Sequence, residues 1–168
     1  AYIYFGGVSM DNVADVIMTG EATGDSFGNS VSSAGDINGD GYSDVIVGAP
    51  LYSSQTGRAY IYIGGASMNN VADETMTGDA TISNFGNSVS SAGDVNGDGY
   101  SDVIVSASGY SSGTGKSNIY FGGLSMNNLV DVIMTGEAIN NYLGYSVSSV
   151  GDVNGDGYSD VIIGADGY

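Results

Sequence analysis

Four short stretches with different patterns of polar and apolar residues recur through the chain, and each stretch predicts a β-strand. The clearest alternation is in AYIYIGG (59–65), while DVIVGAP (44–50) is shorter and mostly apolar. FGNSVSSAG (27–35) is rich in small residues, and ETMTGDA (74–80) is weaker and more polar. Turn residues separate the four stretches, among them the loop LYSSQTGR (51–58). The pattern therefore predicts four strands in each unit.

These units repeat with a period of 58 residues. The strand AYIYFGG (1–7) returns as AYIYIGG (59–65) and as SNIYFGG (117–123). Residues 1–58 and 59–116 are identical at 43 positions. Identity this high indicates either recent duplication or deliberate engineering.

Four-stranded units at this spacing predict an all-β fold, a β-propeller of four-stranded antiparallel blades. A β-solenoid is the alternative, although its coils are usually shorter. In the propeller, residues 27–84 and 85–142 are complete blades. Residues 1–26 form the second half of a split blade, and residues 143–168 form the first half.

The two half-blades predict self-association, because unpaired strand edges tend to associate. Three periods amount to 174 residues, six more than the 168 present, and the difference corresponds to the loop SSQTGR (53–58). Joining the halves between two chains gives a six-bladed homodimer with two-fold symmetry, in which two blades contain both chains. A trimeric nine-bladed ring and an excised piece of a longer protein are the alternatives.

The charge of the chain excludes several partners. The formal net charge is −17, and Arg58 and Lys116 are the only Lys or Arg residues. Nucleic acids and anionic membranes are excluded, because binding to them requires clustered cations. With no Cys and no His, thiol chemistry and a histidine base are also absent. No apolar run is long enough for a membrane-spanning helix.

The acidic residues are not scattered, since nine of the 19 lie in three copies of one loop, first seen as DINGDGYSD (36–44). Asp36, Asn38 and Asp40 supply side-chain oxygens at positions 1, 3 and 5, and Gly41 permits the sharp turn. The backbone carbonyl of Tyr42 and the carboxylate of Asp44 complete five oxygens. This donor set favours Ca²⁺ over Mg²⁺, which demands stricter octahedral geometry.

The loop differs from an EF-hand, because Val47 stands where that loop has its bidentate Glu and the flanking segments are strands. The predicted ion therefore lies in a hairpin between two strands. An ion-free turn of Asp, Asn and Gly residues is the alternative, since these residues form turns unaided.

The segment 27–50 resembles an FG-GAP repeat, the unit of the integrin α-chain β-propeller. Phe27–Gly28 matches the first tag of that repeat and residues 48–50 match the second. The later copies depart from the tags, with Ser106–Ala107–Ser108 in one and Leu143–Gly144 with Asp166 in the other. The resemblance implies three Ca²⁺ ions per chain, held in the loops between the first and second strands. The implied ligands are Asp36, Asn38, Asp40, Tyr42, Asp44, Asp94, Asn96, Asp98, Tyr100, Asp102, Asp152, Asn154, Asp156, Tyr158 and Asp160.

Three functions are compatible with these features. The first is a calcium-binding scaffold or binding module, adhesion-like or lectin-like, with a carbohydrate or protein ligand. The second is a designed or reconstructed propeller without a native ligand. The third, a hydrolytic enzyme, is disfavoured, because Lys116 is expected in a loop and two sets of acids outside the metal loops recur once per repeat, as a structural role predicts. These acids are Asp15, Asp73 and Asp131, and Glu21, Asp79 and Glu137. Weak calcium sites favour a secreted or cell-surface location, with a bacterial source as the expectation, unless the protein is engineered.

Overall fold

The computed structural model describes residues 1–167, and almost all of its regular structure is β-strand. Its elements are β1 (Tyr2–Ile3), β2 (Val16–Ile17), β3 (Ser30–Gly35), β4 (Asp44–Ala49), α1 (Tyr52–Gln55), β5 (Arg58–Tyr62), β6 (Glu74–Thr77), β7 (Phe85–Gly93), β8 (Asp102–Ala107), α2 (Tyr110–Gly113), β9 (Lys116–Tyr120), β10 (Val132–Thr135), β11 (Leu143–Gly151) and β12 (Asp160–Ala165).

The strands form antiparallel sheets in which neighbours in sequence are neighbours in space. Strands β3–β4–β5–β6 make one four-stranded sheet, here sheet A, and β7–β8–β9–β10 make a second, sheet B. Strands β11–β12 and β1–β2 form two smaller sheets, here the C-terminal and N-terminal half-sheets. The prediction of an all-β protein with four-stranded antiparallel sheets is confirmed, and these sheets have the form of propeller blades.

Three apolar clusters hold neighbouring sheets together. Ile61 and Met76 of sheet A pack with Phe85 and Val105 of sheet B in the largest cluster. A second cluster joins the N-terminal half-sheet to sheet A, and a third joins sheet B to the C-terminal half-sheet. Each seam therefore buries apolar side chains from two consecutive repeats, and this burial is the main stabilising contribution to the array.

The first strand of each repeat does not always begin where the sequence predicted. β7 and β11 begin at Phe85 and Leu143, but β3 begins only at Ser30 rather than at Phe27. Gly57 and Gly115 of the preceding repeat form parallel bridges to Phe85 and Leu143. Residue 27 has no preceding repeat within residues 1–167 to supply such a bridge, so its strand is shorter.

The segments α1 and α2 lie where the sequence predicted loops, and neither is a regular helix. Ser53 and Ser54 in α1 have positive φ values of 46° and 59°, and Ser111 and Ser112 in α2 have 50° and 59°. Each segment is thus a left-handed turn between the second and third strands of its sheet.

Two strands, β1 and β12, lack within residues 1–167 a partner that the equivalent strands of sheets A and B have. β12 pairs only with β11, and β1 pairs only with β2, whereas the equivalent strands β4 and β5 pair with each other. The sheets of a single chain therefore do not close into a ring. The described residues also contain no helix long and apolar enough to cross a bilayer.

Candidate metal-binding loops

Each acidic loop joins the first and second strands of its sheet, as the sequence predicted. The loops connect β3 to β4, β7 to β8 and β11 to β12, and we call them loops 1, 2 and 3. In each hairpin the register shifts by one residue just before the loop, between Ser33 and Gly35 in the first copy. Gly35 has a φ of 78°, so this bulge requires a residue that tolerates positive φ.

The first aspartate of each loop organises the turn. In loop 1, Asp36 Oδ1 accepts hydrogen bonds from the backbone N–H groups of Gly39 at 2.7 Å and Asp40 at 3.0 Å. Asp36 Oδ2 accepts one from the N–H of Gly41 at 2.8 Å. The chain therefore curls around this carboxylate, and loops 2 and 3 repeat the three bonds around Asp94 and Asp152.

The residues at positions 3 and 5 are in direct contact. Asn38 Nδ2 donates to Asp40 Oδ2 at 3.0 Å, and the backbone N–H of Asp40 donates to Asn38 Oδ1 at 3.0 Å. Asp40 Oδ1 accepts from the backbone N–H of Tyr42 at 2.9 Å. The loop is thus a series of tight turns in which side-chain oxygens accept from the local backbone.

The last aspartate of loops 1 and 2 is completely buried. Asp44 accepts from the N–H of Ile37 at 2.8 Å and, through its other oxygen, from the N–H of Gly64 at 2.7 Å. Burial raises the pKa of Asp44; these two hydrogen bonds oppose the rise, and the charges of Asp40 and Asp36 add to it. The pKa of Asp102 is raised for the same reasons. Both carboxylates lie close enough to the loop acids to be destabilised by them.

Loop 3 has the same internal hydrogen bonds but is far more open. Within residues 1–167, the carboxylate of Asp160 accepts one backbone hydrogen bond, from the N–H of Val153 at 2.9 Å. The second bond, which Gly64 donates to Asp44 in loop 1, has no equivalent there. The exposed Asp152 has a lowered pKa, caused chiefly by the hydrogen bond from Gly157. The structure therefore gives one loop sequence two environments.

The donor set fits a calcium ion in its chemistry, although the side chains are not gathered around a common centre. Each loop offers carboxylate and amide oxygens, and a carboxylate oxygen can accept more than one contact. Within residues 1–167, however, no group of three or more Asp or Glu side chains is arranged to hold a metal. The structure thus brings positions 1, 3 and 5 together and leaves position 9 bonded to the backbone beneath them.

Another charged arrangement, at the start of the third strand, was missed from the sequence. The Arg58 guanidinium lies 4.0 Å from the centre of the Tyr52 ring and forms an ion pair with Glu21 at 2.8 Å. Lys116 repeats this, 4.3 Å from the centre of the Tyr110 ring and 2.7 Å from Asp79.

The expectation that Lys116 lies in a loop was therefore wrong, because it begins β9 and is almost fully buried. The signal was present in the sequence, since both the cations and the acids recur at 58-residue intervals. Both cations are engaged in the structure, which makes them part of the seams between sheets.

The repeated sheets and their acidic hairpins define a class, that of repeat proteins built from four-stranded antiparallel units. The family model described as "FG-GAP repeat" matches residues 27–62, 85–121 and 143–168, which is more than half of the chain. The chain belongs to the FG-GAP repeat family. The resemblance proposed from the two tags is thereby confirmed.

Curated relatives include several integrin α chains. Integrin alpha-4 of Xenopus laevis is 35% identical over 155 residues, covering 87% of this chain and 15% of its own length. Integrin alpha-IIb of Mus musculus is 34% identical over 165 residues, covering 88% and 16%. Integrin alpha-8 of Mus musculus is 31% identical over 181 residues, covering 97% and 17%. The chain thus spans about a sixth of the length of these relatives.

Proposed function

We propose that the protein is a calcium-braced β-propeller module of the adhesion type, whose ring is completed by a second copy of the chain. The single observation that carries the calcium assignment is the loop DxNxDGxxD, present three times with the same hairpin geometry and the same hydrogen bonds. The integrin relatives support an extracellular binding role rather than catalysis.

Calcium would relieve an electrostatic cost that is built into each loop. Three carboxylates lie within nine residues, and in loops 1 and 2 the third of them is buried. A divalent cation at the loop would offset both the mutual repulsion and the burial of Asp44 or Asp102. Each ion would be held by the five residues proposed for its loop, and in loop 1 it would replace the contact between Asn38 Nδ2 and Asp40 Oδ2. We propose three such ions per chain.

Self-association is supported by two apolar grooves that flank the unpaired edges. One groove of about 620 Å³ lies between the N-terminal half-sheet and sheet A, lined by residues that include Ile3, Met18 and Val31. The other, of about 480 Å³, lies beside the C-terminal half-sheet and is lined by Met134 and Ile163 among others. A second copy would fill each groove with the half-sheet that is missing there. We therefore propose complete blades at 27–84 and 85–142, and a split blade shared between copies.

Calcium titration by calorimetry of the chelator-treated protein tests the metal assignment. We expect three sites per chain, with dissociation constants of roughly 10⁻⁴ to 10⁻³ M, as in other extracellular calcium modules. The variant with Asp40→Asn, Asp98→Asn and Asp156→Asn should bind far more weakly. A control with Asp11→Asn, Glu74→Gln and Asp166→Asn removes the same charge outside the loops and should retain binding. Equal loss in both variants would contradict specific sites.

Light scattering tests the self-association. We expect about twice the chain mass of 16.9 kDa, since two copies complete the ring. A mass equal to one chain at every concentration would overturn this part of the proposal and leave the calcium assignment untouched. Three times the chain mass would replace the dimer with a nine-bladed trimer.

A further inference from the structure

Loop 3 lacks a cover that loops 1 and 2 both have. The ring of Tyr100 lies over Gly39, where an added Cβ would be 2.7 Å from the ring, and the ring of Tyr158 lies over Gly97 at 2.6 Å. Loops 1 and 2 are thus each covered by a tyrosine of the following repeat. At Gly155, the equivalent position in loop 3, nothing lies within 4 Å.

The same two loops are also bonded to the following repeat through the backbone. Ser101 N–H donates to the carbonyl of Asp36 at 3.0 Å, and Ser159 N–H donates to the carbonyl of Asp94 at 2.9 Å. The exposed fraction of the residue after the first aspartate shows which loops are covered. Ile37 of loop 1 is 1% exposed, whereas Val153 of loop 3 is 70% exposed.

The chain also carries the covering residues that would match loop 3. Tyr42 and Ser43 stand just before β4, as Tyr100 and Ser101 stand before β8. Tyr42 is 48% exposed, and Ser43 is exposed and lines the larger groove. Within residues 1–167, no backbone hydrogen bond joins Ser43 to loop 3.

We infer that Tyr42 and Ser43 of one copy dock on loop 3 of a second copy, with the tyrosine ring over Gly155 and the serine N–H on the carbonyl of Asp152. The inference rests on the self-association proposed above, and it names the surface and the residues that perform it. The occupant is a second copy because the chain repeats this contact twice internally, with the same residue types at the same spacing.

The neighbouring strand edges extend the same interface. The observed register of β4 and β5 pairs Val45 with Tyr62, Ile46 with Ile61 and Val47 with Tyr60. Transferred by whole periods to β12 and to β1 of a second copy, it pairs Ile162 with Ile3 and Ile163 with Tyr2. It also brings the N–H of Gly6 to the free oxygen of Asp160, as Gly64 donates to Asp44 at 2.7 Å.

The surfaces that this register would cover are apolar and open in one chain. Ile162 is 57% exposed and Tyr2 is 64% exposed, while the equivalent Ile46 and Tyr60 are 0% and 3% exposed. Docking of the loop and pairing of the edges would therefore bury surfaces whose equivalents in sheets A and B are already buried. The result is a continuous interface that runs from loop 3 to the paired strands β12 and β1 of the two copies.

The test compares two equivalent tyrosines, Tyr42, which would cover loop 3 of a second copy, and Tyr100, which covers loop 1 within the chain. Sedimentation should show that Tyr42→Ala weakens dimerisation by at least about tenfold, as expected for an aromatic anchor in an interface. Tyr100→Ala removes the cover of loop 1 within the chain and lies outside the proposed interface, so it should lower the unfolding midpoint and leave dimerisation within about threefold. Equal effects of the two variants on dimerisation would overturn the inference.

Cysteine cross-linking tests the register independently, because the sequence contains no native cysteine. The double variant Ile3→Cys with Ile162→Cys should form a disulfide between copies under mild oxidation, since directly opposed residues are close enough for this bond. The control Ile3→Cys with Ile163→Cys points the two thiols to opposite faces and should not form it. A cross-link within one chain, or equal cross-linking in both variants, would overturn the register.

These experiments separate the two proposals. A chain that is monomeric at all concentrations refutes the proposed self-association, and the calcium titration is then judged by itself. A dimer that is insensitive to Tyr42→Ala and does not cross-link in the expected register keeps the self-association but refutes the seam described here.

Discussion

Sheets A and B and the two half-sheets contain nearly the same sequence in different surroundings. The strand DVIVGA (44–49) of sheet A and DVIIGA (160–165) of the C-terminal half-sheet differ at one position. The first is buried along almost its entire length, whereas the second is only partly buried and exposes Ile162. Burial in this protein is therefore decided by the sheet that packs alongside a strand rather than by the strand itself.

The first strands of the sheets, β3, β7 and β11, show the same effect. Val31 in β3 is 57% exposed, but Val89 in β7 and Val147 in β11 are 4% and 9% exposed. Only the later two strands have a preceding repeat within residues 1–167. The contrast indicates that the burial of this valine depends on a repeat that packs against its strand.

Calcium removal should have the largest effect, because sheet A, sheet B and the C-terminal half-sheet each carry one acidic loop. At about 100 times the dissociation constant each ion would contribute roughly 2.7 kcal/mol, or about 8 kcal/mol for three sites. Thermal melting with and without EDTA measures this. With calcium present, Asp98→Asn in a complete sheet and Asp156→Asn in a half-sheet should each lose about a third of the effect. An unchanged melt with EDTA would refute calcium bracing.

Core truncation should separate the two regions most clearly. Ile46→Ala should lower the free energy of unfolding by about 2–5 kcal/mol, because the side chain is fully buried. Ile162→Ala should cost less than about 1 kcal/mol in the single chain, since that side chain is largely exposed. Urea unfolding, measured at protein concentrations low enough to keep the chain monomeric, gives both values. Equal losses would mean that the half-sheet is already covered in one chain.

The buried cation of sheet B should contribute less. Lys116→Met keeps an apolar stem of similar length but removes the charge over Tyr110, so we expect a loss of about 1 kcal/mol. Glu137→Gln, at the position of the third repeat equivalent to Asp79, should change stability by less than about 0.5 kcal/mol because the residue is exposed. Urea unfolding measures both losses. A larger loss of stability for Glu137→Gln than for Lys116→Met would contradict the stabilising role given to the buried cation.

Single hydrogen bonds across the seams should give the smallest effects. Ser30 Oγ accepts from the N–H of Val89 and Ser88 Oγ accepts from the N–H of Val147, both at 3.1 Å. Ser30→Ala and Ser88→Ala should each cost about 1 kcal/mol, since a backbone donor is left without its partner. Ser146→Ala in the half-sheet should be neutral in the monomer. A clear cost there at low protein concentration would show that its seam is closed within the chain.

The sequence predicted the strands well because their pattern is local. Alternation and turn residues placed β4, β5 and β6 within a few residues of their observed bounds. The start of β3 was predicted three residues too early, because Phe85 and Leu143 extend their strands only through bridges to the preceding repeat. Such a bridge depends on a neighbour that the local pattern does not describe.

The candidate site was partly predictable for the same reason. The spacing of Asp36, Asn38 and Asp40 brings them together in one turn, and the structure has that turn. The position of Asp44 beneath the loop depends on the N–H of Gly64, which follows the end of β5 and is 20 residues away in sequence. The cation over Tyr52 or Tyr110 was missed because its partners Glu21 and Asp79 lie 37 residues away.

The sequence by itself determined the repeat, the four strands of each unit and the acidic hairpins, because these depend on neighbours within a few residues. Tertiary structure alone decided which copies of a residue are buried, which loops are covered and which edges remain open. The physical reason is that burial and hydrogen bonding between sheets depend on the repeat packed alongside, so identical segments such as loops 2 and 3 differ wherever that neighbour is missing.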